Sequence, residues 1–241
     1  MDPGYGAQYA TLYHTHWWWR AREEYLVRLL DHTLGAGANG DVLDFGCGDG
    51  LFFPALSRFG VPHGIEPDAS LLDPAGPWRP SISTEPLQCD EKETSRYRLI
   101  VALDVLEHIA EPAPIVHELA RRLLPGGWFV ATVPAFQSLW TAHDDLNHHV
   151  RRYRLAELEA LVRDAGLEVV ESRYLFSWVA IAKWMVARIE RVVRRAPKSP
   201  TVPAAPVNAT LLALSRLEHA VLAGMRPPFG SSAIVVARRG N

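Results

Sequence analysis

Three histidines and two aspartates lie within one short segment of this chain, Trp140–Tyr153. Imidazole groups change protonation near neutral pH, so a histidine in such a segment can orient or deprotonate a nucleophile. An aspartate beside it can hold the ring in place. We therefore consider this segment a candidate catalytic loop, and its candidate residues are His143, Asp144, His148 and His149.

Two other interpretations of this loop stay open. Imidazole and carboxylate groups also bind metal ions. However, the adjacent side chains of His148 and His149 do not easily point at one ion in regular structure, and no cysteine joins them, so we expect no metal site. The loop could also be purely structural, with capped and salt-bridged residues. In the catalytic interpretation, Arg151 or Arg152 ties the loop to its neighbouring strand.

A glycine-rich turn forms the second candidate site. Residues Asp41–Phe45 predict a buried strand, and Gly46, Gly48 and Gly50 follow at alternate positions. Glycine allows a ligand to approach the main chain closely, and the helix predicted over Leu51–Leu56 directs free N–H groups towards the turn. Strand, glycine turn and helix together indicate the start of an open α/β sheet.

The residues around this turn indicate the class of ligand. The next apolar run, Val61–Ile65, ends at Glu66, whose carboxylate can accept hydrogen bonds from the two hydroxyls of a ribose. The third glycine comes one residue earlier than in dinucleotide sites. Asp44, before the first glycine, repels a phosphate and suits an ammonium group. We therefore expect a cofactor that contains a nucleoside and a cationic group.

Four motifs together resemble the class I S-adenosylmethionine-dependent methyltransferases. In the family's order they are Leu43–Gly50, Ile65–Asp68, Leu103–His108 and Leu124–Gly127. The resemblance covers roughly residues 16 to 175 and implies S-adenosyl-L-methionine as the cofactor. The residues of these motifs implied to bind it are Asp44, Gly46, Gly48, Gly50, Glu66, Pro67, Leu103, Asp104 and His108.

An aromatic segment precedes the first strand. Residues Gln8–Leu34 predict a helix in which three consecutive tryptophans, starting at Trp17, point in three directions and cannot all face one core. A similar His-Trp-Trp segment in family members implies a lid over the cofactor, with Trp18 in contact with it. Arg22 or Arg20 then pairs with its methionine carboxylate. The alternative is that the tryptophans only pack the helix and the arginines are solvated.

The candidate catalytic loop, Trp140–Tyr153, also resembles the family. Its His-x-Arg-Arg-Tyr portion, His149–Tyr153, is similar to a segment in one bacterial branch of these methyltransferases. It follows the fifth predicted strand, Trp128–Val133, and leaves the same sheet edge as the glycine turn. In this arrangement an acceptor meets the methyl group beside the loop.

The alternation of strands and helices predicts an α/β, Rossmann-like fold: a seven-stranded, mostly parallel sheet with helices on both faces. The seventh strand, Ser232–Ala237, is expected to pair antiparallel beside the sixth, Leu167–Leu175. The predicted parts are an N-terminal helical lid (1–35), the cofactor-binding domain (36–176 and 230–241) and a helical insertion between strands six and seven (177–229).

The insertion departs from the minimal family pattern. Trp178–Arg195 has apolar residues at helical spacing and a basic edge, and a proline-rich link, Pro197–Pro206, leads to a second helix, Val207–Met225. The pair could cover the acceptor pocket, form a homodimer interface, or lie on an anionic membrane surface as a basic amphipathic helix.

Composition limits the partners. The chain has 241 residues, a formal net charge of -2 and 22% charged residues, so no overall charge attracts nucleic acid. Base-flipping methyltransferases commonly carry an Asx-Pro-Pro-aromatic tetrad after the fourth strand. This chain has Leu103–Leu106 there instead, so we expect no nucleic-acid acceptor. The two cysteines, Cys47 and Cys89, fall in or near predicted core strands, and no signal segment or spanning apolar run is evident. We expect a cytoplasmic protein with reduced thiols.

These observations predict methyl transfer from S-adenosylmethionine to a small-molecule acceptor by in-line displacement, and they leave O, N and C acceptors open. A nicotinamide-dependent oxidoreductase would use the same kind of sheet but a different glycine pattern. A non-catalytic cofactor-binding protein would keep the glycine turn and lack the acidic, histidine-rich loop.

Overall fold

The computed structural model describes residues 3–35, 40–87, 95–192 and 200–241, with the main chain alone for residues 3–8, 191 and 192. Cys89, Arg194, Arg195 and the first part of the proline-rich link lie outside these ranges. The helices are α1 (Pro3–Thr15), α2 (Trp17–Leu34), α3 (Phe53–Leu56), α4 (Pro112–Arg122), α5 (Ala142–Leu146), α6 (Leu155–Asp164), α7 (Ser177–Val192) and α8 (Ala205–Val221). The strands are β1 (Asp41–Phe45), β2 (Val61–Ile65), β3 (Ile82–Ser83), β4 (Tyr97–Leu103), β5 (Leu123–Pro134), β6 (Leu167–Leu175) and β7 (Ser232–Arg239).

The strands form one seven-stranded sheet in the order β3-β2-β1-β4-β5-β7-β6. Strands β1 to β5 are parallel, and β7 runs antiparallel between β5 and β6. This confirms the predicted Rossmann-like fold. The strand order reverses between β1 and β4, and open α/β sheets bind ligands in the crevice that such a reversal opens at the carboxyl ends of the strands.

Apolar residues cover both faces of the sheet. Successive side chains of a strand point to opposite faces, and in β1 Val42 and Leu43 accordingly belong to two different buried clusters. Helices α4 and α6 cover the Leu43 face, whereas α2, α3, α7 and α8 cover the Val42 face. Because helices cover both faces, the polar carboxyl edge is left as the place for chemistry.

The N-terminal segment differs from the prediction of a single helix over Gln8–Leu34. It forms two helices that meet at His16, whose main chain is extended (φ -78°, ψ 134°). The ring of His16 is buried, which lowers its pKa to about 4 and keeps it neutral. Its Nδ1 atom therefore accepts a hydrogen bond from the N–H of Trp18 at 3.2 Å and caps α2.

Strand β5 begins earlier than the predicted Trp128. Leu123 pairs with Tyr97 and Trp128 with Leu99, so the residues between them bulge out of the strand. Gly126 in this bulge has φ 72°, and a Cβ atom at Gly127 would lie 2.8 Å from the oxygen of Leu124. The two glycines thus allow the turn, and the strand resumes where the sequence predicts it.

The insertion between β6 and β7 consists of two helices, α7 and α8. Helix α8 spans Ala205–Val221 instead of the predicted Val207–Met225, because Pro206 fits the first turn of a helix. On the outer side of α7, four apolar residues at helical spacing are exposed: Ile181, Trp184, Met185 and Ile189. No helix among the described residues is long and apolar enough to cross a membrane. A homodimer interface and an anionic membrane surface both stay predictions for this side of the insertion.

Candidate active site

Glu66 holds the glycine turn in place. Its two carboxylate oxygens accept hydrogen bonds from the main-chain N–H groups of Gly48 and Asp68, both at 3.0 Å. Burial raises the pKa of Glu66. A carboxylate has about four lone-pair positions, so Glu66 can still accept hydrogen bonds from ribose hydroxyls. Pro67, which follows it, is exposed at the end of β2.

The three glycines of the turn serve different purposes. A Cβ atom added to Gly46 would lie 2.4 Å from Cγ2 of Val105, and one added to Gly50 would lie 3.1 Å from Cβ of Trp78. At Gly48 (φ 51°) an added Cβ would meet nothing within 4 Å. Packing therefore explains Gly46 and Gly50, whereas Gly48 borders open space in which a ligand can lie.

Asp44 supplies a buried acidic group beside this space. Its side chain lies near the end of β1 and is 3% exposed. Burial, reinforced by the charge of Glu66 and opposed by that of Arg22, raises the pKa of Asp44 to about 7. A nearby cation would favour its charged form. The turn residues thus fit a ligand that combines a ribose with a positively charged group.

Arg22 of α2 reaches the carboxyl end of β4. Its Nη2 atom lies 2.8 Å from Oδ2 of Asp104 and donates to the hydroxyl of Thr132 at 3.1 Å. That hydroxyl donates to Oδ1 of Asp104 at 3.1 Å. The guanidinium also lies 5.6 Å from the ring centroid of Trp18. Arg20 is exposed, so of the two predicted arginines it is Arg22 that lies at the site.

The three tryptophans point in different directions. Trp17 packs against Trp178 of the insertion, with 5.1 Å between ring centroids, and Trp19 packs edge-on against Tyr9 of α1 at 5.9 Å. Trp18 is half-buried beside Arg22. Leu103, at the end of β4, is also half-buried, and it packs with Trp18 against the same buried apolar cluster.

Asp144 organises the loop after β5. It is fully buried and accepts hydrogen bonds from Nε and Nη2 of Arg152, at 2.8 and 2.9 Å, and from the N–H of Thr141 at 2.8 Å. Burial alone would raise the pKa of Asp144, but the hydrogen bonds from His149 and Arg152 hold it below its ordinary value. Arg152 also donates to the oxygen of Ala135, directly after β5, at 2.9 Å. Asp144 is therefore an ionised orienting group, not a proton acceptor.

His149 is the loop histidine that Asp144 orients. Its Nδ1 atom lies 2.8 Å from Oδ1 of Asp144, and an ionised carboxylate there places the ring proton on Nδ1. The lone pair of Nε2 remains available. This atom lies 4.0 Å from Oε1 of Glu107, and the ring of His108 stands perpendicular to that of His149 at 4.8 Å.

The other two loop histidines have different surroundings. Nε2 of His143 contacts Nδ2 of Asn147 at 2.9 Å, one turn along α5, and burial lowers the pKa of His143 to about 4. His148 is exposed and occupies a left-handed turn at φ 56°. The structure therefore brings together His149, Asp144 and His108. His143 lies near enough to interact with the charges of Asp144 and Lys183, whereas His148 is exposed.

Two residues at the site were not among the predicted ones. Glu107 is fully buried beside His149, and burial, reinforced by the charge of Asp104, raises its pKa well above its ordinary value. Lys183 of α7 interacts with the charges of Asp144 and Asp104, and burial lowers its pKa to about 8. A signal for Lys183 exists in the sequence, because it lies four residues from each of the buried Val179 and Ala187.

Comparisons with known proteins identify the family of this chain. A family profile described as "Methyltransferase domain" matches residues 18–172. A ubiquinone biosynthesis O-methyltransferase of Hydrogenovibrio crunogenus is 28% identical over 159 residues, 55% of this chain and 64% of that protein. One of Leptothrix cholodnii is 26% identical over 210 residues, 71% of this chain and 86% of that protein.

Among solved structures, geranyl diphosphate C-methyltransferase of Streptomyces coelicolor superposes with a TM-score of 0.57 at 14% identity, covering 90% of this chain and 79% of that one. This likeness shows a shared fold. The family match spans the glycine turn, Glu66, Asp104 and the loop that carries His149. The chain therefore belongs to the methyltransferase-domain family and is an S-adenosylmethionine-dependent methyltransferase.

Proposed function

We propose that this enzyme transfers a methyl group to a hydroxyl oxygen of a small-molecule acceptor, and that Nε2 of His149 activates this hydroxyl. The observation that carries the proposal is the 2.8 Å contact between Asp144 and Nδ1 of His149, which leaves Nε2 free to act. The names of the matched relatives, ubiquinone biosynthesis O-methyltransferases, support an oxygen acceptor.

The residues around the glycine turn hold the cofactor in this proposal. When bound, S-adenosylmethionine supplies a methyl group on a sulfonium, which is a good leaving group. Glu66 accepts hydrogen bonds from the ribose, and the charge of Asp44 attracts the cationic part. Arg22 is placed to pair with the methionine carboxylate, and Trp18 beside it excludes water. Alignment and exclusion of water account for most of the rate that such a transfer needs.

His149 then acts on the acceptor from the opposite side of the site. Nε2 takes up the hydroxyl proton or holds the hydroxyl in line, while the ionised Asp144 stabilises a positive charge on the ring. A positioned base of this kind contributes about 10²- to 10⁴-fold to a rate. It matters most for a hydroxyl, because a neutral hydroxyl is a weak nucleophile.

The test is methyl transfer from isotopically labelled S-adenosylmethionine to a panel of phenols, catechols, aliphatic alcohols and amines, followed by product mass. We expect a hydroxyl acceptor to be methylated and His149→Gln to lower kcat about 10²-fold or more. The matched control is His148→Asn, because asparagine tolerates the left-handed turn. Methylation of amines alone, or equal kcat for the parent and His149→Gln, would contradict the proposal.

A further inference from the structure

Glu107 is a carboxylate without an evident partner. Its side chain is fully buried, and among the described residues no other residue donates a hydrogen bond to either of its oxygens. The two nearest guanidinium groups already have carboxylates of their own, because Arg22 pairs with Asp104 and Arg152 with Asp144. An ionised carboxylate buried without donors or a cation costs several kcal/mol, and either a proton or a bound cation removes that cost.

Two imidazole rings face this carboxylate. One ligand atom from each of Glu107, His108 and His149 can be chosen so that all three lie within 4.8 Å of one another. The distance between Oε1 of Glu107 and Nε2 of His149 is 4.0 Å. Ligand atoms around a tetrahedral ion lie roughly 3.4 Å apart, given bonds of about 2.1 Å. His108 is exposed, so its ring is free to turn and close this difference.

Both imidazoles make a hydrogen bond beside this carboxylate, and that of His149 fixes the orientation of its ring. Asp144 holds Nδ1 of His149 at 2.8 Å, as in carboxylate–histidine–metal arrangements. The ring of His108 bonds to the main chain of His148. The two segments are also joined, because the N–H of Val150 donates to the oxygen of Glu107 at 2.9 Å. The three side chains are thus held together before any ligand arrives.

From this geometry we infer that Glu107, His108 and His149 bind one divalent first-row transition-metal ion of the Zn²⁺ type. Two imidazoles and one carboxylate are the ligand set of open, catalytic zinc sites, whereas Mg²⁺ prefers oxygen ligands throughout. This revises the sequence-based expectation of no metal, which considered only the adjacent pair His148 and His149. The fold instead joins His149 to a pair of residues that follow β4.

The inference also specifies how His149 acts, and in this respect it rests on the proposed function. A three-ligand site leaves a position for the acceptor oxygen. A metal ion held by these three side chains would lower the pKa of an acceptor hydroxyl beside it, and the hydroxyl proton would leave to solvent. In that arrangement Nε2 of His149 would bind the metal ion, and activation of the hydroxyl by the ion would replace the direct proton uptake by Nε2 described in the proposed function.

Titration of Co²⁺ alone into the full chain, after dialysis against a chelator, tests the site. We expect one equivalent to bind with the visible absorption of low-symmetry Co²⁺, and Zn²⁺ to displace it. Glu107→Gln and His149→Gln should each weaken Co²⁺ binding at least about tenfold. Loss of a residue that only hydrogen-bonds to a metal ligand already lowers metal affinity by about 10- to 100-fold. The matched control, His148→Asn, should bind Co²⁺ like the parent, and thermal unfolding checks that each variant folds.

Absence of stoichiometric Co²⁺ binding, or equal binding by the parent, Glu107→Gln and His149→Gln, would overturn the metal site. Methyl transfer with and without chelator separates this result from the proposed function. If Co²⁺ does not bind and transfer continues in chelator, His149 acts directly on the acceptor. If Co²⁺ binds at these residues but no hydroxyl acceptor is methylated, the site stands and the proposed reaction fails.

Discussion

The carboxylate of Glu66 accepts main-chain hydrogen bonds from Gly48 and Asp68, so it shapes the turn at which it is placed to bind a ribose. Both tasks use the same two oxygens. Loss of this carboxylate therefore removes a ligand acceptor and also releases the N–H of Gly48, which borders the open space over the turn. Cofactor binding should be sensitive to this residue for both reasons.

We expect Glu66→Ala to weaken S-adenosylmethionine binding by about 1–3 kcal/mol, because hydrogen bonds to a charged acceptor contribute on that scale. Isothermal titration calorimetry measures this change. Glu85→Ala, at an exposed glutamate just beyond β3, is the control and should bind like the parent. Unchanged affinity in Glu66→Ala, in a protein that melts like the parent, would exclude Glu66 as the ribose acceptor.

The raised pKa of Asp44 predicts that cofactor affinity depends on pH. Burial raises its pKa to about 7, so the free protein holds Asp44 protonated below that pH and ionised above it. A cationic ligand binds better to the ionised form, and its affinity should rise with pH from about 6 to 8 and then level off. Calorimetry across this range should show the rise in the parent and a flatter curve in Asp44→Asn, which cannot ionise. A rise of the same size in Asp44→Asn would assign it to another group.

For single residues of the site, the sequence indicates which residue types are present better than it indicates their roles. The glycine turn, Glu66 and Asp44 lie at one sheet edge, as their positions at or just after the ends of β1 and β2 predict. The choice among three loop histidines was not predictable, because it depends on the left-handed turn at His148 and on the carboxylate that holds His149. Neither feature has a signature in the order of the residues.

The loop after β5 is held by one buried ion pair. Arg152 binds Asp144 with two parallel hydrogen bonds and donates a third to Ala135. Both side chains are fully buried. Removal of one partner leaves the other charged and buried, which costs about 3–5 kcal/mol. Helix α5 has only five residues, so its position depends on this pair more than on its own hydrogen bonds.

Arg152→Leu should therefore lower the free energy of unfolding by about 3–5 kcal/mol. Urea denaturation followed by circular dichroism measures it. Arg163→Leu is the control, because Arg163 and Glu159 form an exposed pair on α6, whose loss should cost no more than about 1 kcal/mol. Equal effects of the two substitutions would show that the pair does not stabilise the loop.

Most elements were predictable, since buried strands and amphipathic helices have clear apolar periods. The break at His16 was not, because histidine is not a usual helix cap and its capping here depends on how the ring is buried and oriented. The placement of Lys183 at the site likewise required the packing of α7, which local spacing constrains but does not determine.

Across the whole molecule, the insertion contacts the N-terminal helices. Asn208 of α8 accepts a hydrogen bond from the N–H of Trp17 at 2.9 Å and donates to the oxygen of Thr15 at 2.8 Å, so it holds both sides of the break between α1 and α2. Arg216 of α8 pairs with Glu24 of α2. All cofactor motifs precede the insertion in sequence. These contacts nevertheless predict that the insertion influences cofactor binding, because they hold helix α2, which carries Trp18 and Arg22.

Asn208→Ala should loosen the corner between α1 and α2 and weaken S-adenosylmethionine binding, because α2 carries Trp18 and Arg22. Two hydrogen bonds of about 1 kcal/mol each limit the increase in Kd to about 30-fold. We expect an increase of about 3- to 10-fold, because only part of this loss reaches the cofactor site. Hydrogen exchange should become faster in the amides on both sides of His16. Thr210→Ala is the control, because the hydroxyl of Thr210 bonds within α8, to Pro206. Parent-like exchange and Kd in Asn208→Ala would mean that α1 and α2 keep their position without the insertion, whose role would then be confined to the acceptor or to assembly.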